Sequence, residues 1–181
     1  MFSPATYSSI AHTDMPVGEE LSTPRKGVRG AREPASIDCF TYSISRVVSL
    51  EAFVAAFYTN PFFRIELIIL GFFGYPSKPQ DVPALFVGQR QDYAAWTLEY
   101  RDDRQIVMAD KLGATKHFLM VNVIDETNIT QLHFGSAVMP RINKDGSERP
   151  PSFYFKLLEG FHVFYSKMLL TAAVARLKSL S

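Results

Sequence analysis

The sequence has little of what marks a secreted or nucleic-acid-binding protein. Its 181 residues include one cysteine, Cys39, which excludes a disulfide within the chain. The 19 basic and 18 acidic side chains leave a formal net charge of +1, so no strong positive field exists to gather phosphate groups. Nucleic acid is therefore not an expected partner.

No segment is apolar for long enough to cross a bilayer. The most apolar stretch, residues 61–75, is interrupted by Arg64 and Glu66 and is shorter than the roughly 20 residues of a spanning helix. We expect it to form a helix buried in its own domain, and a short helix on a membrane surface is the alternative. The first residues show no secretory signal, which makes a cytoplasmic location the default.

The composition suits one globular domain, because 47% of the residues are hydrophobic and 20% are charged. Residues 1–36 are rich in Pro, Gly, Ser, Thr and both charges, without a sustained apolar period. They are predicted to form an irregular N-terminal arm that wraps the domain or a neighbouring subunit, so a homodimer through this arm is a candidate assembly. Residues 37–181 are predicted to form the domain itself.

The apolar spacing predicts both strands and helices within this domain. Alternation of Phe40, Tyr42 and Ile44 indicates a strand over 37–46. Helix caps at Ser49 and at Asn60 predict two helices, to Asn60 and to about Phe73. Further elements are a short helix from Asp81 to about Gln91, strands at about 94–101, 105–110, 115–124 and 129–138, and a final helix of about 27 residues after Ser152.

Hairpin parity predicts which strand residues share a face. A turn at Glu126-Thr127 or Thr127-Asn128 places Val121 with Leu132 and Phe134. A turn around Leu112-Gly113 places Ile106, Met108 and Asp110 beside His117 and Leu119, and a three-residue loop after Arg101 adds Trp96, Leu98 and Tyr100. The resulting face is apolar except for Asp110, His117 and Ser136, while His133 points to the opposite face.

One strand, short helices, an antiparallel meander and a long final helix follow one another along the chain. This order, with the segments 53–61, 132–138 and 161–170, resembles an uncharacterised bacterial family of the START-like helix-grip superfamily, which includes polyketide cyclases and lipid carriers. The resemblance covers roughly residues 37–178 and implies an α+β helix-grip fold with short helices between the first strand and the meander. It also implies an apolar or amphipathic ligand between the sheet and the C-terminal helix, but no catalytic residue carries over. The strand count is lower than the superfamily pattern, so a reduced or filled cavity is an alternative.

Three functional hypotheses follow. The first is a binding module for a small apolar or amphipathic molecule, lined by Trp96, Tyr100, Met108, Asp110, His117 and Phe134 on the sheet and by Phe161, Tyr165 and Met168 on the helix. The second is a cyclase- or hydrolase-like enzyme using Asp110 and His117, with Ser136 as a weak nucleophile candidate. The third is a structural or interaction protein with a filled core.

The four histidines, His12, His117, His133 and His162, lack the spacing of a metal site, so no metal is predicted. No cofactor is predicted either.

Overall fold

The chain forms an antiparallel sheet and several helices that cover one face of this sheet. The computed structural model describes residues 11–12, 36–112, 114–139, 141–142, 148–149 and 153–179, and it describes side chains within 37–112, 114–124, 126–139 and 163–179. The predicted α+β arrangement, with short helices after the first long strand and a long C-terminal helix packed on the sheet, is confirmed.

Within the described ranges the main sheet has seven strands, in the order β1-β2-β7-β6-β5-β4-β3. Its strands are β1 (Ala11–His12), β2 (Ser36–Ile44), β3 (Asp92–Tyr93), β4 (Trp96–Arg101), β5 (Gln105–Asp110), β6 (Thr115–Ile124) and β7 (Ile129–Val138). A separate two-stranded ribbon consists of β8 (Arg141–Ile142) and β9 (Glu148–Arg149). Within the predicted arm, β1 pairs antiparallel with β2; the rest of the arm, and with it the predicted dimer contact, lies outside the described residues.

In the described part of the chain four α-helices accompany the sheet: α1 (Leu50–Tyr58), α2 (Pro61–Phe72), α3 (Val82–Phe86) and α4 (Phe153–Ser179). The predicted caps are confirmed, since Ser49 accepts a hydrogen bond from the Ala52 amide and Asn60 accepts one from the Phe63 amide. α3 is shorter than predicted because Gly88, at φ +74°, takes a left-handed conformation that ends helices. α4 has the predicted 27 residues.

The prediction of which residues share a face in the two C-terminal hairpins is confirmed. Leu119 pairs with Phe134 and Val121 with Leu132, while Ile106 pairs with Leu119 and Met108 with His117. The β6–β7 loop is longer than a two-residue turn and includes a short 3₁₀ turn, but it keeps the same parity.

The predicted position of Tyr100 is wrong. Trp96 and Leu98 do pair with Asp110 and Met108, but a β-bulge then shifts the register, so that Tyr100 lies opposite Val107. The extra residue turns the Tyr100 side chain to the opposite face of the sheet, where it packs against the small cluster of Cys39, Val107, Phe118 and Ala137.

The main core lies between the helices and the face of the sheet that carries Met108, Leu119 and Phe134. α1 contacts β6 and also α4, and α4 in turn contacts β2 and β7. The second half of α4 contributes the buried residues Leu169, Leu170, Ala173, Val174 and Leu177. The helix-grip elements are therefore present, with α1 packed among them.

α2 departs from the expectation that the apolar stretch 61–75 is buried. Phe63 and Leu67 are its buried residues, whereas large side chains on the outward side are exposed: Phe62, Ile65, Ile68, Ile69, Phe72 and the adjoining Phe73. Within the described part of the chain no single helix is long and apolar enough to span a membrane; by length and composition alone, α1 and α2 together pass that test as a pair bent by 62°.

Replacing Asn60 with alanine is expected to lower the free energy of unfolding by about 2 kcal/mol. Its fully buried side chain accepts from the Phe63 amide at 2.9 Å and donates to the Phe57 carbonyl at 2.6 Å, so alanine leaves two buried backbone groups unpaired. Urea unfolding measures the loss. Ser49→Ala is the matched control, because it removes one exposed cap; equal losses in the two variants would contradict the role of burial.

Candidate functional site

The polar side chains on the core face lie in one row across the sheet. Asp38 pairs with Ser136, Ser136 with His117, and His117 with Met108. The row ends near Trp96, whose ring meets the imidazole edge-on at 5.2 Å between centroids. The sequence prediction that His117 and Ser136 share a face is confirmed.

The imidazole of His117 has an aromatic partner that the sequence analysis did not identify. Tyr58, the last residue of α1, is fully buried, and a hydrogen bond of 2.7 Å joins its Oη to His117 Nε2. The pair lies among rings of Trp96, Phe134 and Tyr93. It therefore occupies a buried, aromatic part of the core.

Burial keeps both members of this pair neutral near pH 7. Desolvation lowers the pKa of His117 to about 4, although the negative charge of Asp110 works in the opposite direction. Desolvation also raises the pKa of Tyr58 well above its ordinary value, with smaller contributions from Tyr93 and Glu66. The imidazole is thus a weaker base than a free histidine.

Asp110 and Ser136 form hydrogen bonds that give them structural roles. The Asp110 carboxylate accepts from the Leu112 amide at 2.7 Å and from the amide and hydroxyl of Thr115, which closes the β5–β6 turn. The Ser136 hydroxyl donates to Asp38 at 2.8 Å, and its amide donates to the same oxygen. The hydroxyl proton of Ser136 is therefore directed at a carboxylate on β2.

Aromatic side chains of the protein itself fill the space where the sequence predicted a ligand. Phe57 of α1 packs on Phe134 at 4.6 Å between ring centroids, and Phe63 of α2 packs on Trp96 at 5.7 Å. Met108 is fully buried. Three of the predicted ligand contacts therefore lie together on the core face but pack against helices: Trp96, Met108 and Phe134. Tyr100 lies on the opposite face of the sheet.

The predicted residues on α4 divide between a helix contact and a surface groove. The Tyr165 hydroxyl donates to Glu66 of α2 at 2.5 Å, and burial raises the pKa of Glu66, partly offset by this hydrogen bond. Met168 faces a groove between α2 and α4. The side chain of Phe161 lies outside the described residues.

This α2–α4 groove is a concave site on the surface of the described structure. It is open to solvent and has a volume of about 840 Å³. Its lining is mainly apolar, with two basic and two hydroxyl side chains: Pro61, Phe62, Phe164, Lys167, Met168, Thr171, Ala172, Ala175, Arg176 and Ser179. The sequence signal for it is Met168, which the sequence analysis places in a ligand site facing the sheet and which the structure places in this groove.

Comparison with known proteins gives no match: no family model matches the chain, and neither a curated protein nor a solved structure matches it.

Proposed function

We propose that the protein is a binding module for a small amphipathic molecule with an apolar chain and an anionic end, held in the α2–α4 groove. The observation that carries the proposal is the groove itself, whose volume of about 840 Å³ falls within the range of small-molecule sites, roughly 300–1,000 Å³. The helix-grip resemblance implies a ligand beside the last helix. The proposal keeps that helix as one wall and has α2 as the other.

The lining chemistry supports both parts of this ligand. Phe62, Phe164 and Met168 offer the apolar surface that an acyl or alkyl chain buries. Lys167 and Arg176 are exposed cations of the same lining, and the Lys167 ammonium is positioned over the Phe40 ring at 5.6 Å from its centroid. A carboxylate or phosphate end group gains a charge-assisted contact there.

The enzymatic alternative has weaker support than binding. It requires a substrate to reach His117, which is 8% exposed and has its Nε2 hydrogen-bonded to Tyr58. The structural alternative, a filled core, agrees with the packing of α1 against the sheet, and a filled core is compatible with a ligand held outside it.

Laurate, a twelve-carbon carboxylate, is the probe for the groove, measured by isothermal titration calorimetry below its micellar concentration. We expect saturable binding that Ala172→Trp weakens at least about tenfold, because the indole occupies the groove. Lys167→Gln with Arg176→Gln is expected to weaken laurate but leave dodecanol, the uncharged analogue, nearly unchanged.

Ala52→Trp is the matched control, since Ala52 is an exposed helical alanine on α1 outside the groove lining. Its laurate affinity is expected to equal that of the unsubstituted protein. Absence of saturable laurate binding, or an affinity that Ala172→Trp leaves unchanged, would overturn the proposal.

A further inference from the structure

The outward side of α2 presents an unusual amount of apolar surface. Six large side chains, between 41% and 88% exposed, form what we call the α2 face: Phe62, Ile65, Ile68, Ile69, Phe72 and Phe73. Most recur at steps of three and four residues, so they form a continuous stripe along the helix. Contiguous exposed apolar surface of this kind marks an interaction site.

The α2 face is held rigidly by the opposite side of the same helix. Phe63 is buried against Phe57, Tyr58 and Trp96, and Glu66 accepts the hydrogen bond from Tyr165 of α4. The Asn60 cap fixes the first turn. The stripe is therefore held in a fixed position, on a helix about 18 Å long whose opposite side is packed into the protein.

Basic side chains lie on both sides of the α2 face. On one side, Lys167 and Arg176 line the α2–α4 groove. On the other side, a second groove is lined by Arg64, Lys78 and Arg90, together with Asp81, which forms an ion pair with Arg90 at 3.1 Å. Among the described residues that line these two grooves, basic side chains outnumber acidic ones five to one, although the whole chain carries a net charge of only +1.

We propose that the α2 face docks on the surface of an anionic lipid bilayer, with its phenylalanine and isoleucine side chains in the interfacial layer and the flanking cations against lipid headgroups. An apolar stripe bordered by Lys and Arg is the pattern of helices that lie in the plane of a membrane interface. The surface-helix alternative raised by the sequence is thereby favoured over a fully buried helix.

Charge complementarity favours a bilayer over a second copy of the chain. A symmetric dimer through the α2 face would bring the basic residues of one copy close to those of the other, because a twofold interface apposes the same patch on both subunits. Like charges placed together oppose that association. An anionic bilayer instead provides negative charge on both sides of the stripe.

Vesicle flotation tests the proposal with the full chain. The probes are vesicles of pure phosphatidylcholine and vesicles with 30% phosphatidylserine, a composition chosen to supply about the charge of an anionic leaflet. We expect flotation with the anionic vesicles and a loss of at least about tenfold in partitioning for Ile65→Gln with Phe72→Gln. For Arg64→Gln with Lys78→Gln we expect a reduced phosphatidylserine preference, because Lys167 and Arg176 remain.

The matched control is Val47→Gln with Leu112→Gln, because both residues are apolar and more than half exposed but belong neither to α2 nor to the lining of either groove. This variant is expected to float like the unsubstituted protein, and thermal unfolding is expected to show that all variants are folded. Flotation that is absent, or equal in the α2-face variant, would overturn the proposal. So would a dimer in sedimentation that the α2-face variant abolishes while vesicles recruit nothing.

The membrane proposal and the groove proposal can fail separately. Ala172→Trp alters the groove while all six residues of the α2 face remain, so it is expected to lose laurate affinity and to keep vesicle binding. Ile65→Gln with Phe72→Gln alters two residues outside the groove lining, and the opposite result is expected.

Discussion

Gly135→Ala is expected to destabilise the fold by more than about 4 kcal/mol or to prevent folding. Gly135 lies in the middle of β7, between Cys39 of β2 and Phe118 of β6. A Cβ placed there would overlap the backbone oxygen of Asp38 and the ring of Phe118. The oxygen belongs to the neighbouring strand, so relief requires β2 to separate from β7, and urea unfolding followed by circular dichroism measures the loss.

Gly71→Ala provides the contrast for that experiment. Gly71 lies in α2, and a Cβ there meets no atom within 4 Å. Alanine is expected to stabilise the protein by about 0.5–1 kcal/mol because it favours helix. In a Phe118→Leu background, Gly135→Ala is expected to cost less stability, because the overlap with the Phe118 ring is relieved while the overlap with the Asp38 oxygen remains. Equal stability of Gly135→Ala and the unsubstituted protein would contradict this packing.

Acidification from pH 6.5 to 4 is expected to remove about 3 kcal/mol of stability through His117 alone. Burial lowers its pKa in the folded protein to about 4, against an ordinary value of 6.5. Between these two pH values the unfolded chain binds the proton and the folded chain does not. The contribution is therefore fully present above pH 6.5 and is lost as the pH falls towards 4.

His133 is expected to act in the same direction. Burial lowers its pKa to about 4 as well. Its Nδ1 bonds to the Thr41 hydroxyl at 2.8 Å, and its buried Nε2 has no hydrogen-bond partner among the described residues. Glu66, whose pKa is raised, titrates with the opposite effect on stability. NMR titration of the histidine side chains measures the pKa of His117 and of His133 separately. Midpoints near 6.5 for these two imidazoles would contradict the prediction.

The sheet could be predicted from the sequence because alternation gives the strands and short loops fix the parity between neighbours. Parity predicts Leu119 on the same face as Phe134 and Met108 on the same face as His117, and in the structure each of these is a directly opposite pair. It failed at Tyr100 because a bulge adds one residue to β4 without changing the hydrophobic pattern. There Tyr100 donates to Asp102 at 3.0 Å, and Glu99 forms an ion pair with Lys116 at 2.7 Å, contacts that alternation alone does not indicate.

The candidate site was harder to predict, because it depends on how the helices are oriented. His117 was assigned to the correct face, but its partner Tyr58 lies 59 residues earlier in the chain, and nothing in local spacing says which way α1 turns. The same limit applies to α2. α2 is apolar on almost every side, so its sequence has no periodicity that tells the exposed side from the buried side. Only the tertiary structure shows which side is exposed.

The pairing of β2 with β7 determines the order in which this sheet can assemble. The strands from β4 to β7 are joined by short loops, whereas Asp38 meets Ser136 only across 98 residues. Closing so long a segment is slow compared with hairpin formation. We therefore expect refolding to pass through a stage in which β7 is paired with β6 but not yet with β2, so that its free edge can pair with strands of other molecules. The yield of refolding from denaturant is then expected to fall as the protein concentration rises, a dependence that the equilibrium stability of the fold does not reveal.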